Sequence, residues 1–334
     1  MPDVLRVERR PLDELPGPAY DRLAARSFFA SRGFLDLWRR TGGRPVAWTV
    51  ETDGGLAAAL PGVEFGRRPL ARFAALPDGL YGRLLVEPAR AADAGACARA
   101  ALGAITRHGY GRVHIFDFHG SIGRGEGFEV RPCSTRIVSL EAPDWPEDPK
   151  LRSQIRKAGR EGISVVPYDP ARHRAGLLAL VARTFRHHGL RPRYPASFYD
   201  ALAALAARDP RVIWRWCERD GEPASSHIYF VEGDMLLAWQ SYFDRRFSFL
   251  KPNVHIRHGA AREAAARGVR WLNLGATPET ATGLAYFKAR WGGRRVSFAS
   301  LAQLTGPAAA FEGWRARRRI ERVRDVLGPA KALR

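Results

Sequence analysis

Apolar and polar residues alternate along this chain in blocks that predict a mixed α/β protein. In the second half, helical spacing covers residues 151–162, 170–187, 195–208 and 253–267. Strand patterns in the same half cover residues 163–167, 212–218, 224–231, 235–242, 269–274 and 294–301. The turn signals Asp220-Gly221 and Gly233-Asp234 join three of these strands into a meander.

The first half follows a similar order more loosely. Its predicted helices are 20–40, in two parts, and 89–108, and its predicted extended segments are 45–52, 56–65, 83–86, 113–118 and 128–140. Residues 142–149 carry three prolines and predict a boundary between the halves. We therefore predict two modules, residues 1–145 and 150–303, followed by a basic helix within 305–334.

One stretch, residues 271–293, combines the marks of a functional site. A short buried strand (271–274) leads into a polar Gly/Thr loop, and the segment YFKARW (286–291) follows. Lys288 is one of only five lysines in the chain, and it stands between large aromatic residues. A single cation held among apolar rings just beyond a core strand is a common wall for a binding pocket.

This stretch and two others resemble the Fem-type acyltransferases, a branch of the GNAT superfamily. The matching residues near the C-terminus are Gly268, Asn273-Leu274-Gly275, Gly283, Phe287-Lys288 and Trp291-Gly292. Upstream, LPDGLYG (76–82) resembles the family's Leu-Pro…Tyr-Gly-Gly turn, with Arg83 where a second glycine is usual. LRSQIRKAGREG (151–162) resembles its basic helix. The matches keep the family's order and span roughly residues 28–300.

The resemblance implies two tandem GNAT-like modules, each a mixed sheet flanked by helices, without the coiled-coil arm of some members. It also implies an amide-bond-forming aminoacyltransferase, in which an acceptor amine attacks the ester of an aminoacyl-tRNA. The aminoacyl-tRNA is a co-substrate, and no cofactor is expected. The acceptor implied is a muropeptide precursor or a natural-product intermediate. Lys288 takes the family's catalytic position, where a fixed cation stabilises the oxyanion, and Phe287 is its partner.

Further side chains are candidates for substrate contact. Tyr81 and Gly82 belong to the resemblance's acceptor turn, and the basic helix offers Arg152, Arg156 and Lys157 for phosphates. The remaining candidates lie around the predicted donor gap: His227, Gln240, Tyr242, Arg245, Arg246, Lys251, Asn273, Tyr286 and Trp291. His227 is either a proton acceptor or a satisfied core residue, and Tyr286 and Trp291 either stack on the terminal adenine or pack in the core.

Two other functions stay open. An acyl-CoA-dependent N-acyltransferase would share the fold, but such enzymes bind pyrophosphate on a glycine-rich turn before the crossover helix. Residues 243–251 contain no glycine, and Pro252 donates no N–H. A non-catalytic tRNA-binding module is the third interpretation.

Charge supports a polyanionic partner. Lysine and arginine exceed aspartate and glutamate by 54 to 34, which gives a net charge of +20. Six arginines cluster near the C-terminus, at positions 315, 317, 318, 319, 322 and 324. His255 and His258 lack a third ligand at metal spacing, and the cysteines are isolated, so no metal site is predicted. The absence of a signal-peptide core or spanning apolar run predicts a cytoplasmic location.

Overall fold

The computed structural model describes residues 4–142, 145–277 and 281–314. Within those residues, thirteen strands form one sheet in the order β1-β2-β3-β4-β6-β13-β7-β12-β11-β10-β9-β8, with β5 paired to β3. The strands are β1 (Arg6–Pro11), β2 (Arg44–Thr52), β3 (Gly55–Phe65), β4 (Arg72–Ala75), β5 (Leu85–Val86), β6 (Arg112–Asp117), β7 (Glu129–Ser139), β8 (Ser164–Pro167), β9 (Val212–Arg219), β10 (Glu222–Glu232), β11 (Met235–Phe243), β12 (Trp271–Asn273) and β13 (Arg294–Leu304).

Helices cover the sheet on its faces. They are α1 (Gly17–Ala24), α2 (Arg32–Asp36), α3 (Ala94–His108), α4 (Pro149–Arg160), α5 (Pro170–His187), α6 (Ala196–Ala206), α7 (Pro252–Ala266) and α8 (Thr282–Ala289). Residues 306–314 are also helical. The arrangement confirms the predicted mixed α/β fold.

The last strand among the described residues, β13, lies next to strands of the first half. β13 runs antiparallel to β6 on one side and to β7 on the other. β7 in turn pairs with β12, which belongs to the second half. The halves therefore exchange strands at the centre of the sheet, and the predicted boundary at residues 145–150 separates segments whose strands are interleaved.

Two strand pairs are parallel, and each lies in one half. β4 pairs with β6 over four residues, and β11 pairs with β12 over three. In the second pair β12 ends at Asn273 whereas β11 continues to Phe243, so the outer part of β11 has no partner strand on that side. This one-sided end of β11 opens a gap in the described sheet.

Aromatic side chains from both halves form a common core. Phe28 stacks on Phe230 with ring centroids 5.2 Å apart, and Trp38 lies 5.5 Å from Phe198. All four side chains are almost completely buried. Packing of this density fixes the relative position of the two halves.

Most of the elements predicted from residue spacing are present, but two details differ. The predicted helix over 20–40 is broken into α1, α2 and short 3-10 turns, and Ser31 caps α2 by accepting a hydrogen bond from the backbone N–H of Phe34. Strands β1 and β4 were not predicted. The segment after the Gly/Thr loop is helical, as α8, in agreement with the predicted order of helix, strand, helix and strand at the end of the second half. The six C-terminal arginines lie outside the described residues.

Candidate active site

The gap beside β11 holds a cavity of about 260 Å³, here called the inner cavity. It lies where β12 stops, between α7, α8 and the end of the turn at residues 76–82. Its lining includes His227, Gln240, Ser241, Arg257, Gly275 and Lys288. Three of the predicted site residues, His227, Gln240 and Lys288, thus meet in one space.

Lys288 is the buried cation of this cavity, with 6% of its surface exposed. Its Nζ donates to the carbonyl oxygens of Gly275 (2.7 Å) and Ala276 (3.0 Å) and to the hydroxyl of Thr277 (3.0 Å). An ammonium group has three N–H donors, so these three acceptors hold it in one orientation. Burial, followed by repulsion from Arg257, lowers the pKa of Lys288 to about 7.

Asn273 ties the acceptor turn of the first half to the end of β12. Its Oδ1 accepts hydrogen bonds from the hydroxyls of Tyr81 (3.2 Å) and Thr135 (2.6 Å) and from the Gly275 backbone N–H (2.9 Å). Asn273 and Tyr81 are both buried, and burial raises the pKa of Tyr81 to about 12. The predicted pair therefore shapes the loop that binds Lys288, and Thr135 joins them without having been predicted.

A chain of buried polar groups forms the α7 side of the inner cavity. Arg257 is hydrogen-bonded to Tyr229, and the Tyr229 hydroxyl lies 2.8 Å from Nδ1 of His227. Nε2 of His227 lies 3.1 Å from Oδ1 of Asn253. Because that amide oxygen can only accept, His227 carries its proton on Nε2 and accepts from Tyr229 on Nδ1. Burial lowers the pKa of His227 to about 3, so the ring is neutral at physiological pH.

Arg257 and Tyr229 were not predicted as site residues from the sequence. Arg257 shares α7 with the exposed Arg262, and its spacing there gives no sign that it faces inward. The ring of Phe287 lies 5.2 Å from the guanidinium and that of Trp291 lies 5.6 Å from it. Phe287 therefore lies beside a half-buried cation, although a different one from the predicted partner Lys288.

A second space, the outer cavity, lies next to the inner one, with Ser241 in the walls of both. It measures about 420 Å³ and is lined by Arg183, His187, His188 and Arg245 among others. Asn253, which binds His227, also lines it. The outer cavity therefore places cationic and imidazole groups beside the cavity that holds Lys288.

Three phosphate ligands were predicted in the loop before α7, and their surroundings differ from one another. Arg246 donates to Asp244 from Nε (3.0 Å) and Nη2 (2.9 Å), and Arg183 pairs with the same carboxylate. Arg245 and Lys251 are exposed. Lys251 adopts a left-handed φ of 56° directly before Pro252, the first residue of α7. Arg245 thus faces the outer cavity, whereas the charge of Arg246 is already paired.

A third space, the side cavity, shares Lys288 with the inner one. It measures about 570 Å³ and is lined by Arg136, Thr277, Tyr286, Lys288 and Arg295 among others. Tyr286 is 71% exposed and forms part of its wall. Lys288 can therefore be approached from two spaces.

Several other predicted contacts lie elsewhere. Tyr242 is buried on the far face of β11, where its hydroxyl lies 2.9 Å from that of Tyr199. Trp291 is fully buried, with its ring centroid 5.2 Å from that of Trp145. Both rings pack in the core rather than facing a cavity, because large apolar surfaces are most stable there.

Gly82 and Arg152 of the basic helix make contacts within the fold itself. A Cβ on Gly82 would lie 2.7 Å from the Ala75 carbonyl oxygen, so the turn can only approach β4 without a side chain. Arg152 donates to the carbonyl oxygens of Pro146 (3.0 Å) and Glu147 (2.9 Å). Arg156 and Lys157 are exposed on α4, and neither lines the inner, outer or side cavity.

No described group of three His, Cys, Asp or Glu residues is arranged to hold a metal ion. None of the described helices is both long and apolar enough to cross a bilayer.

Comparison with known proteins agrees with this geometry. Residues 149–289 match the family model for an acetyltransferase (GNAT) domain, and that segment contains α7, β12 and Lys288. The crystal structure of FemX shares 12% identity, with a TM-score of 0.64 over 87% of this chain and 96% of FemX. No curated protein matches the chain in sequence.

Two further solved structures have the same fold. The structure of L-PGS from Bacillus licheniformis shares 11% identity, with a TM-score of 0.55 over 92% of this chain and 97% of L-PGS. A tandem GNAT protein from the clavulanic acid biosynthesis pathway shares 14% identity, with a TM-score of 0.50 over 89% and 98% of the two chains. The second half of the chain is thus similar to an acetyltransferase (GNAT) domain, and the chain as a whole has the fold of FemX.

Proposed function

We propose that this acyltransferase forms an amide bond by moving an aminoacyl group from aminoacyl-tRNA to an acceptor amine. The observation that carries the proposal is the pair of neighbouring cavities, one lined by Arg183 and Arg245 and the other by a single amine, Lys288. The outer cavity suits the phosphate-bearing end of a nucleic acid, and the inner cavity suits the acyl group.

The α7 entrance argues against a CoA donor. Residues 245–250 form a 3-10 helix capped by Asp244, which occupies the position of a glycine-rich turn. Pro252 removes one of the free N–H groups of the helix end. The exposed Arg245, by contrast, suits a phosphate of a larger donor.

The reaction needs no protein nucleophile, because the ester is already activated. The acceptor nitrogen attacks the ester carbonyl carbon, a C–N bond forms, and the C–O bond to the ribose breaks. The proton lost by the amine goes to the departing ribose oxygen. Lys288 lines both the inner and the side cavity, so its charge can stabilise the oxyanion while the amine approaches from the side cavity.

Binding of a labelled, non-hydrolysable aminoacyl-minihelix tests the donor. We expect fluorescence anisotropy to show tighter binding of the charged than of the uncharged minihelix, with no displacement by CoA and strong weakening by salt. Displacement by CoA, or equal affinity for both minihelices, would reject aminoacyl-tRNA as the donor.

The rate should also depend on pH through Lys288. The cation that stabilises the oxyanion is lost as pH rises through about 7, the lowered pKa of this amine. We therefore expect kcat to fall about tenfold per pH unit above that value. In Lys288→Arg the guanidinium stays charged, so any remaining activity should lose this alkaline decline. An unchanged decline in that variant would assign it to another group.

A further inference from the structure

Arg257, which lines the inner cavity, has an unpaired donor. Its Nε is buried, and it has no hydrogen-bond partner among the described residues. The guanidinium packs over the rings of Phe287 and Trp291 and is hydrogen-bonded to Tyr229. An arginine keeps its charge even where burial lowers its pKa, as it does here. A buried cationic donor left unpaired is costly, so it indicates a missing partner.

The described lining also leaves the positive charge of the cavity uncompensated. Arg257 and Lys288 both line it, and the charge of Arg257 opposes protonation of Lys288. Asp78 supplies the one carboxylate in the described lining, but it already binds Arg193 (3.1 Å) and the Tyr194 hydroxyl. The buried Lys288 and the half-buried Arg257 face one space, and two cations so placed attract an anion.

We propose that the inner cavity binds a carboxylate of the transferred acyl group, and that Arg257 is the residue that binds it. This inference rests on the proposed function. The acyl group in question is aspartyl, glutamyl or another group with an acid side chain. Arginine suits this role because its planar N–H groups match the two oxygens of a carboxylate.

The depth of Arg257 favours a carboxylate of the acyl group over a phosphate of the donor. Arg257 is the sixth residue of α7, which begins at Pro252. At 1.5 Å per residue, it lies about 7 Å along the axis from the helix start. The outer cavity reaches only Asn253 on this helix. If the phosphates of the donor lie in the outer cavity, Arg257 therefore lies near the acyl group of the donor and not near its phosphates.

A chain of polar groups connects α7 with β10, and it leaves Nε as the unpaired donor of Arg257. Tyr229 accepts from Arg257 and donates to His227, and His227 donates to Asn253. Each member has a partner, so the guanidinium is held in place before substrate binds. A neutral amide in place of the carboxylate would offer one acceptor instead of two and no charge.

The test compares non-hydrolysable glutamyl- and glutaminyl-minihelices, which differ in one carboxylate. We expect wild-type protein to bind the glutamyl form about 10- to 100-fold more tightly, the range of one charge-assisted pair. Arg257→Met should abolish the preference. Arg262→Met is the matched control, because it removes an exposed charge from the same helix, and it should retain the preference. Thermal unfolding checks that both variants fold.

A second measurement does not involve the nucleic acid. Glutarate, compared with glutaramate, should raise the melting temperature of wild-type protein but not of Arg257→Met. Equal binding of both minihelices together with no effect of glutarate would overturn the proposal. Stabilisation by glutarate that depends on Arg257, without a minihelix preference, would assign the carboxylate to the acceptor and overturn its place in the acyl group.

Two further outcomes separate this proposal from its alternatives. Failure of every charged minihelix to bind would reject aminoacyl-tRNA as donor, and the glutarate comparison would then decide on the carboxylate site alone. Glu279 lies outside the described residues, between β12 and α8 in the sequence. A preference for glutamyl that appears only in Glu279→Gln would identify Glu279 as the internal counter-ion of Arg257, and it would overturn the proposal.

Discussion

Replacement of Lys288 by methionine is expected to lower kcat about 100- to 1,000-fold, the usual effect of removing one donor that stabilises an oxyanion. The affinity for the aminoacyl-minihelix should change by less than about threefold, because an interaction made only in the transition state does not contribute to binding of the ground state. Single-turnover transfer and anisotropy measure the two quantities separately.

The control for this prediction is Lys150→Met, which removes an exposed lysine outside the cavities. It should leave both quantities unchanged. Lys288 also binds the carbonyl oxygens of Gly275 and Ala276, so thermal unfolding must accompany the assay. A Lys288→Met protein that folds and keeps kcat within about threefold of wild type would exclude a role in the transition state. A loss confined to binding would instead assign Lys288 to the shape of the loop.

The second large effect is expected on stability, from Gly293→Ala. Gly293 has a φ of +73°, and a Cβ there would lie 2.1 Å from the Ile137 carbonyl oxygen and 2.7 Å from the Val138 Cα. Both contacts are with the backbone of β7, which pairs with β12 and β13 and cannot easily move. We expect the free energy of unfolding to fall by more than about 3 kcal/mol, since the clash adds to the cost of the left-handed backbone.

Gly268→Ala provides a matched comparison. Gly268 has a φ of +85°, but a Cβ at that position would have no described atom within 4 Å beyond its own chain neighbours. Its cost should be about 1–2 kcal/mol, from backbone conformation alone. Urea unfolding of the two variants measures the difference through the midpoint at constant slope. Equal losses would show that β7 yields to the methyl group at Gly293.

The order of helices and strands was predictable wherever a turn or capping residue marks the start or end of an element. Asp220-Gly221 and Gly233-Asp234 place the turns of the β9–β10–β11 meander, and Pro170 begins α5 as expected. β1 has Val7 as its single aliphatic residue and pairs through the backbone with β2, so its sequence carries no strand pattern. β4 is only four residues long and pairs with β6 across a long stretch of chain, which local spacing cannot show.

The helices and strands that carry the site were predictable from the sequence, but the contacts of its side chains were less so. The resemblance places Lys288 and Asn273 near each other, and the structure joins them through Gly275. Side-chain direction was harder, because Trp291 and Tyr286 are both aromatic residues beside Lys288, yet one is buried and the other is exposed. Arg257 was missed because only the packing of α7 against α8 reveals that it faces the cavity.

The position of β13 has a consequence for how this chain folds during synthesis. Until residues 294–304 have left the ribosome, the edges of β6 and β7 that β13 will cover have no partner. Unpaired strand edges of this kind join other chains readily. The N-terminal half therefore cannot complete its sheet as it emerges, and a chain stopped before residue 294 would be prone to aggregation rather than a smaller folded protein.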